Sequence, residues 1–293
     1  MTVASNIEPF PRLATWLLSS ASSSPSPVVR SVNTMLDMAF SIERVLPDPY
    51  VWLFHEQDTL DEAIRDAKTS GTLNAVLWEN VGRNTEAFQI TSALKGLEVL
   101  KATIRSLNVR EFVSSAILAR GALEHAAFVT DKVTYILKNF RLLEFRAGAV
   151  TTSPEFEEEV VRMTFGTRLE DGEFKGLPRQ TNCLNAINRL SKSAHPEHQE
   201  LPKRYAFLCE LVHPNVLGNA RFWSHVEGND DQGRKRLVMS RESESQLTHE
   251  ITEYSLWAVS WSAGMIFQAF QDMEDAKITL KAKLLQVFSG RVI

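Results

Sequence analysis

Arg120, Glu124, His125 and Asp131 stand in the middle of a segment, 110–145, that is otherwise apolar, with Phe112, Val113, Ile117, Leu118 and Leu123 spread around a helical wheel. A helix apolar on nearly every side is expected to be central and buried. At about 100° per residue, Arg120, Glu124 and Asp131 fall within about 40° of one another. An unpaired charge there is costly, so Arg120 is expected either to pair with Glu124 one turn on or to point with it into a polar pocket. His125 lies about 140° round the wheel from Arg120, so the two need not meet within one chain.

A second constellation runs from Lys203 to Asn215, on a helix that Pro214 must end. Tyr205, Cys209 and His213 are spaced i, i+4, i+8 and line one side over about 80° of wheel. A histidine at a helix C-terminus gains from the dipole when protonated. Glu210 and His213 form a Glu-x-x-His pair, the ligand spacing of di-iron carboxylate bundles. Such a site needs a second copy of the pair, which the chain lacks, and His249-Glu250-Ile251-Thr252-Glu253 lacks the second histidine of a zinc-protease helix, so no metal is expected.

Arg120-Gly121-Ala122-Leu123-Glu124-His125 resembles the Arg-x-x-x-x-His motif of the HEPN superfamily of helical ribonucleases and toxins. Over roughly 76–270 the chain also resembles a widespread family of uncharacterised helical bacterial proteins that carry Arg-x-x-x-Glu and Tyr…His-Pro, here Arg120, Glu124, Tyr205 and His213-Pro214. The second resemblance implies that these four residues converge between two helices. The first implies a metal-independent endoribonuclease acting as a homodimer, a toxin or phage-defence effector. In it Arg120 would stabilise the phosphorane charge, and His125 or His213 would shuttle the proton during attack of the RNA 2′-hydroxyl. The alternative is a non-catalytic helical module in which Arg120, Glu124, Tyr205 and His213, with Asp131 and Glu210 nearby, form a polar network or bind a small anion.

Other chemistry has no motif behind it. The sequence contains no phosphate loop, no Gly-x-Gly-x-x-Gly after a strand, no Gly-x-Ser-x-Gly elbow and no zinc-spaced cysteine pair, so no cofactor is expected. Trp257 and Trp261, at i, i+4 spacing, read as core or as an oligomer seam. Arg221, Arg234, Lys235, Arg236 and Arg241 make a basic hairpin, a solvated edge or, in the sharper reading, an RNA-contacting finger.

These residues need elements to hold them. In 293 residues, 44% hydrophobic and 23% charged, 32 Lys and Arg face 36 Asp and Glu, a net charge of −4. That composition suits a globular chain and argues against broad, charge-driven binding to nucleic acid. Periodicity predicts an all-α bundle of long helices with one short β-hairpin and a loop-rich insertion. Residues 1–58 are expected to hold accessory helices and a Ser/Pro linker at 19–27. Residues 59–293 are expected to form the bundle, with the insertion at 148–179 and the hairpin at 221–240. Helices are predicted at 11–18, 28–46, 60–68, 72–107 (with breaks near Gly82 or Gly96), 110–145, 154–163, 180–191, 201–213, 243–273 and 275–288, the last capped by Gly290. The uncharged run 254–271 is short for a membrane span and has acidic flanks, so it is expected to be a buried helix. Two cysteines and no basic-then-apolar amino terminus point to reduced thiols in the cytoplasm. Expected partners are RNA and, through the long helices, a second copy of the chain; no membrane is expected.

Overall fold

The computed structural model describes residues 10–20, 27–53, 56–142, 154–169, 171–172, 175–241 and 246–288. The protein is an all-α bundle with one short antiparallel hairpin. Its trunk is three long helices, α5 (Ser70–Asn108), α6 (Phe112–Leu142) and α12 (Gln246–Phe288), packed against one another. Around them lie α1 (Thr15–Ser20), α2 (Pro27–Arg30), α3 (Val32–Glu43), α4 (Gln57–Asp66), α7 (Pro154–Phe165), α8 (Cys183–Leu190), α9 (Pro196–Gln199), α10 (Leu201–Val212) and α11 (Val216–Ala220), with β1 (Trp223–Asn229) paired to β2 (Lys235–Met239).

Two apolar clusters fill the trunk. One gathers Leu17, Leu36, Leu100, Leu123, Leu208 and Trp257, each from a different helix, so the amino-terminal segments expected to be accessory share the main core. The other gathers Trp78, Ile136, Phe156, Val160 and Met273. Small residues let the trunk helices approach closely. A Cβ on Gly96 would stand 2.7 Å from Ile266 Cδ1 and 3.3 Å from His125 Cδ2, so this glycine marks a crossing of α5 with α6 and α12 rather than a break. Helix α5 is continuous through both Gly82 and Gly96, and a Thr69–Thr72 capping box starts it.

The two predicted terminal helices are a single helix. Met273, Ala276 and Leu280 are buried at helical spacing in the second cluster, so α12 runs through Asp275 without a break. The predicted 28–46 helix is split at Ser31 into α2 and α3, and Pro196 opens a one-turn helix, α9, where a loop is expected. The linker positions 21–26, the end of the predicted 110–145 helix with the start of the insertion (143–153), and Gly290 lie outside the described residues.

The run 254–271 lies in α12, with Leu256, Ala258, Val259 and Ala263 fully buried. Among the described residues, one helix is long and apolar enough to cross a membrane by length and composition, α6 over Phe112–Phe140, and half of its apolar window is buried inside the molecule.

Candidate functional site

Helix α10 packs across α6 beside α8, and a polar niche forms at this junction. Glu124 Oε1 accepts two hydrogen bonds, from Arg120 Nε at 2.9 Å on its own helix and from the Tyr205 hydroxyl at 2.8 Å on α10. The Arg120 guanidinium carbon lies 5.8 Å from the Tyr205 ring centroid, within cation–π range. Both charged side chains keep about a quarter of their surface in solvent, 27% for Arg120 and 25% for Glu124. The pair is therefore neither deeply buried nor a free surface pair. No atom stands within 4 Å of where a Cβ on Gly121 would be, so the helix surface next to Arg120 is open.

Two free cysteines complete the surroundings. Cys209 lies one turn after Tyr205 on α10. Cys183 opens α8, behind Asn182, whose side chain caps the helix by accepting from the Leu184 N–H at 3.1 Å. Burial and the charge of Glu124 push the Cys183 thiol up, while Arg168 pulls it down.

The titration of the trio has one character. Burial, then the hydrogen bond to Glu124, pushes the Tyr205 phenol well above its ordinary value, so it stays a donor. Withdrawal from water lowers Arg120, but the hydrogen bond and charge of Glu124 outweigh this and raise it. Arg120 is thus a fixed cation, and Tyr205 a fixed donor. Only Nε of Arg120 has a hydrogen-bond partner among the described residues; its two terminal nitrogens are uncommitted.

The other candidates lie elsewhere. His125 Nε2 is 2.8 Å from the Ser92 carbonyl on α5. A carbonyl only accepts, so the ring donates from Nε2, and burial holds its pKa below the ordinary value. This neutral imidazole ties α6 to α5 on the side away from the niche. Asp131 receives two bonds of 2.6 Å from Arg189, joining α6 to α8. Glu210 accepts from the Asn215 amide, and Asn215 in turn caps α11 by accepting from the Gly218 N–H at 3.2 Å. His213 is the exposed C-cap of α10. Glu210 and His213 therefore belong to the corner between α10 and α11, and no group of three or more metal-ligating side chains occurs among the described residues.

The aromatic stripe is core: Trp257 and Trp261 are buried and stacked at 6.2 Å, with Arg204 over Trp257 and Tyr254. The hairpin is less basic than its sequence. Arg234 and Arg236 pair with Asp230 and Glu227 of the same hairpin, and Arg221 is buried over the Phe112 ring at 4.8 Å.

Sequence reasoning does not reach the Lys132–Glu159–Arg162 network, in which Lys132, only 4% exposed, joins α6 to α7. The i, i+3 spacing of Glu159 and Arg162 is visible in the sequence, but the lysine lies 27 residues away. Cys183 escapes it too, because nothing local links α8 to Glu124. No known protein family, curated protein or solved structure matches this chain.

Proposed function

We propose that this chain is a non-catalytic helical binding module whose niche between α6 and α10 receives a small anionic ligand on Arg120. The observation that carries this reading is the division of labour on one guanidinium. Nε is fixed by Glu124, while the terminal nitrogens have no hydrogen-bond partner among the described residues, and the side chain keeps about a quarter of its surface in solvent. A guanidinium held in this way presents a planar pair of donors suited to a phosphate or carboxylate. Tyr205 donates to the same Glu124 oxygen and stays protonated, and Arg120 stays charged, so neither can shuttle a proton near neutrality. A cytoplasmic setting and self-association through the long helices belong to this proposal.

The ribonuclease reading uses the same arginine and is tested with it. Metal-stripped protein is incubated with a mixed RNA pool beside an Arg120→Ala/His125→Ala double variant matched for helical circular dichroism. In parallel, orthophosphate is titrated calorimetrically into the parent and into Arg120→Ala. The binding-module reading expects intact RNA and a phosphate affinity weakened about tenfold or more in Arg120→Ala, the loss of a charge-assisted contact. RNA cut by the parent alone would replace it with the ribonuclease.

A further inference from the structure

The one-turn helix α9 carries two histidines that the Arg120 niche does not use. Pro196 fixes its start, His195 stands at its N-cap without a side-chain cap bond, and His198 lies three residues on. The two ring centroids are 5.2 Å apart. His195 is exposed, whereas His198 is half-buried and meets the Trp261 ring of α12 nearly edge to face, at 5.7 Å and 78°. Trp261 is only 5% exposed, so α9 is part of what covers this stretch of the main core. The Ser193 hydroxyl, 2.7 Å from His198 Nδ1, steadies the ring from the preceding turn. Beside this contact, Glu197 of α9 and Trp261 share the wall of a cavity of about 250 Å³ with Met35 and Met265. No residue of α9 itself is buried, and its one turn is closed by the His198 N–H donating to the His195 carbonyl at 3.0 Å, so α9 has the makings of a segment that opens locally.

We infer that α9 is a pH-sensitive cover over Trp261, docked while His198 is neutral and released when His198 and His195 take up protons. The surroundings of His198 offer its charged form little. Facing it, α12 is uncharged from Tyr254 to Gln271, and the α2 and α3 side of the cavity contributes Pro27, Ser31 and Met35. At the start of α10, Arg204 is a further cation, turned to Glu200 and Glu253 and to the Tyr254 and Trp257 rings. Within α9 and its cap, His195 opposes a charge on His198 and Glu197 favours one. Burial and then His195 prevail, and they hold the His198 pKa below its ordinary value. Release puts both rings in water, where histidine titrates at about 6.5. Docking therefore favours the neutral form; it is at full strength above about pH 6.5 and fades as pH falls through the lower docked value.

The test follows Trp261 by NMR in the full chain between about pH 7.5 and about pH 5, on either side of the histidine titration. A neutral gadolinium chelate in the solvent broadens the indole N–H signals of exposed tryptophans, and Trp261→Phe assigns that of Trp261. The expected result is a Trp261 signal spared near the upper end and broadened near the lower, with a midpoint below about 6.5, while the trunk amides stay protected from exchange. His195→Gln should move the midpoint up toward about 6.5, since it removes the neighbouring charge. His198→Gln should leave Trp261 spared throughout. A Trp261 signal unchanged across the range, a midpoint unmoved by His195→Gln, or a pH dependence that His198→Gln retains would overturn the proposal. So would loss of trunk protection at the same midpoint, which is acid unfolding of the whole chain rather than release of α9. Should His198→Gln fail to fold, the midpoint in His195→Gln, at an exposed position, decides alone.

Discussion

Glu124 Oε1 serves two donors from two helices, so deleting this side chain leaves both Arg120 and the Tyr205 hydroxyl without their acceptor. Because a quarter of the pair is solvated, water replaces part of what is lost. Glu124→Ala is expected to cost about 1–2 kcal/mol in urea unfolding, well short of the roughly 3–5 kcal/mol of a fully buried broken pair. A second prediction concerns His125. Burial keeps it neutral in the fold, whereas the unfolded chain takes up a proton at about pH 6.5. Stability therefore falls as pH drops from neutrality through about 6.5 toward the lower folded-state value, because the unfolded state binds the extra proton. His198, lowered by burial and by His195, adds to the same slope. Unfolding free energies compared between about pH 7 and about pH 5.5, either side of the unfolded histidine's titration, should show a shallower loss in His125→Gln than in the parent. An unchanged slope would remove His125 from this role. At this scale the one-turn spacing offers the Arg120–Glu124 pair as one of two readings. The meeting of Tyr205 with Glu124 is implied only by the resemblance to the helical family, which also implies a convergence of His213 that the fold does not make. The sequence leaves open whether His125 joins them, because the answer depends on which neighbour, α5 or α10, covers each side of α6.

At the scale of elements, two interior glycines of α5 make opposite predictions from one geometry. Gly82 has no atom within 4 Å of where a Cβ would stand, whereas Gly96 is crowded by Ile266 and His125. Gly82→Ala is expected to stabilise by about 0.5–1 kcal/mol through helix propensity. Gly96→Ala should destabilise despite the same propensity gain, by about 1–3 kcal/mol of overpacking. Chemical denaturation of both variants checks the pair, and a stabilised Gly96→Ala would contradict the close crossing. Periodicity locates nearly every helix and the hairpin, since burial of one face writes itself into local sequence. It misjudges continuity. Glu274-Asp275 reads as a boundary, but Met273, Ala276 and Leu280 join Trp78, Ile136 and Phe156 in a cluster drawn from distant helices, which no local pattern displays. Likewise Gly96 reads as a breaker until the partner helices that need its missing side chain are known.

Across the whole molecule, the three-helix trunk carries two cores and a basic opening at Arg120. Net charge alone, −4 over the chain, conceals this opening. The basic opening spans α6 and α10, so a ligand held there ties two elements of the main core and stabilises the folded chain by mass action, RT ln(1 + [L]/Kd). The most direct test is the Tm of the parent and of Arg120→Gln as orthophosphate rises at constant ionic strength, with sulfate as a second anion. With an anion site on Arg120, the Tm climbs with phosphate in the parent and stays level in Arg120→Gln. An equal climb in both would reflect only general exclusion of a kosmotropic salt from the surface, and, like a level Tm in both, it would contradict an anion site on Arg120.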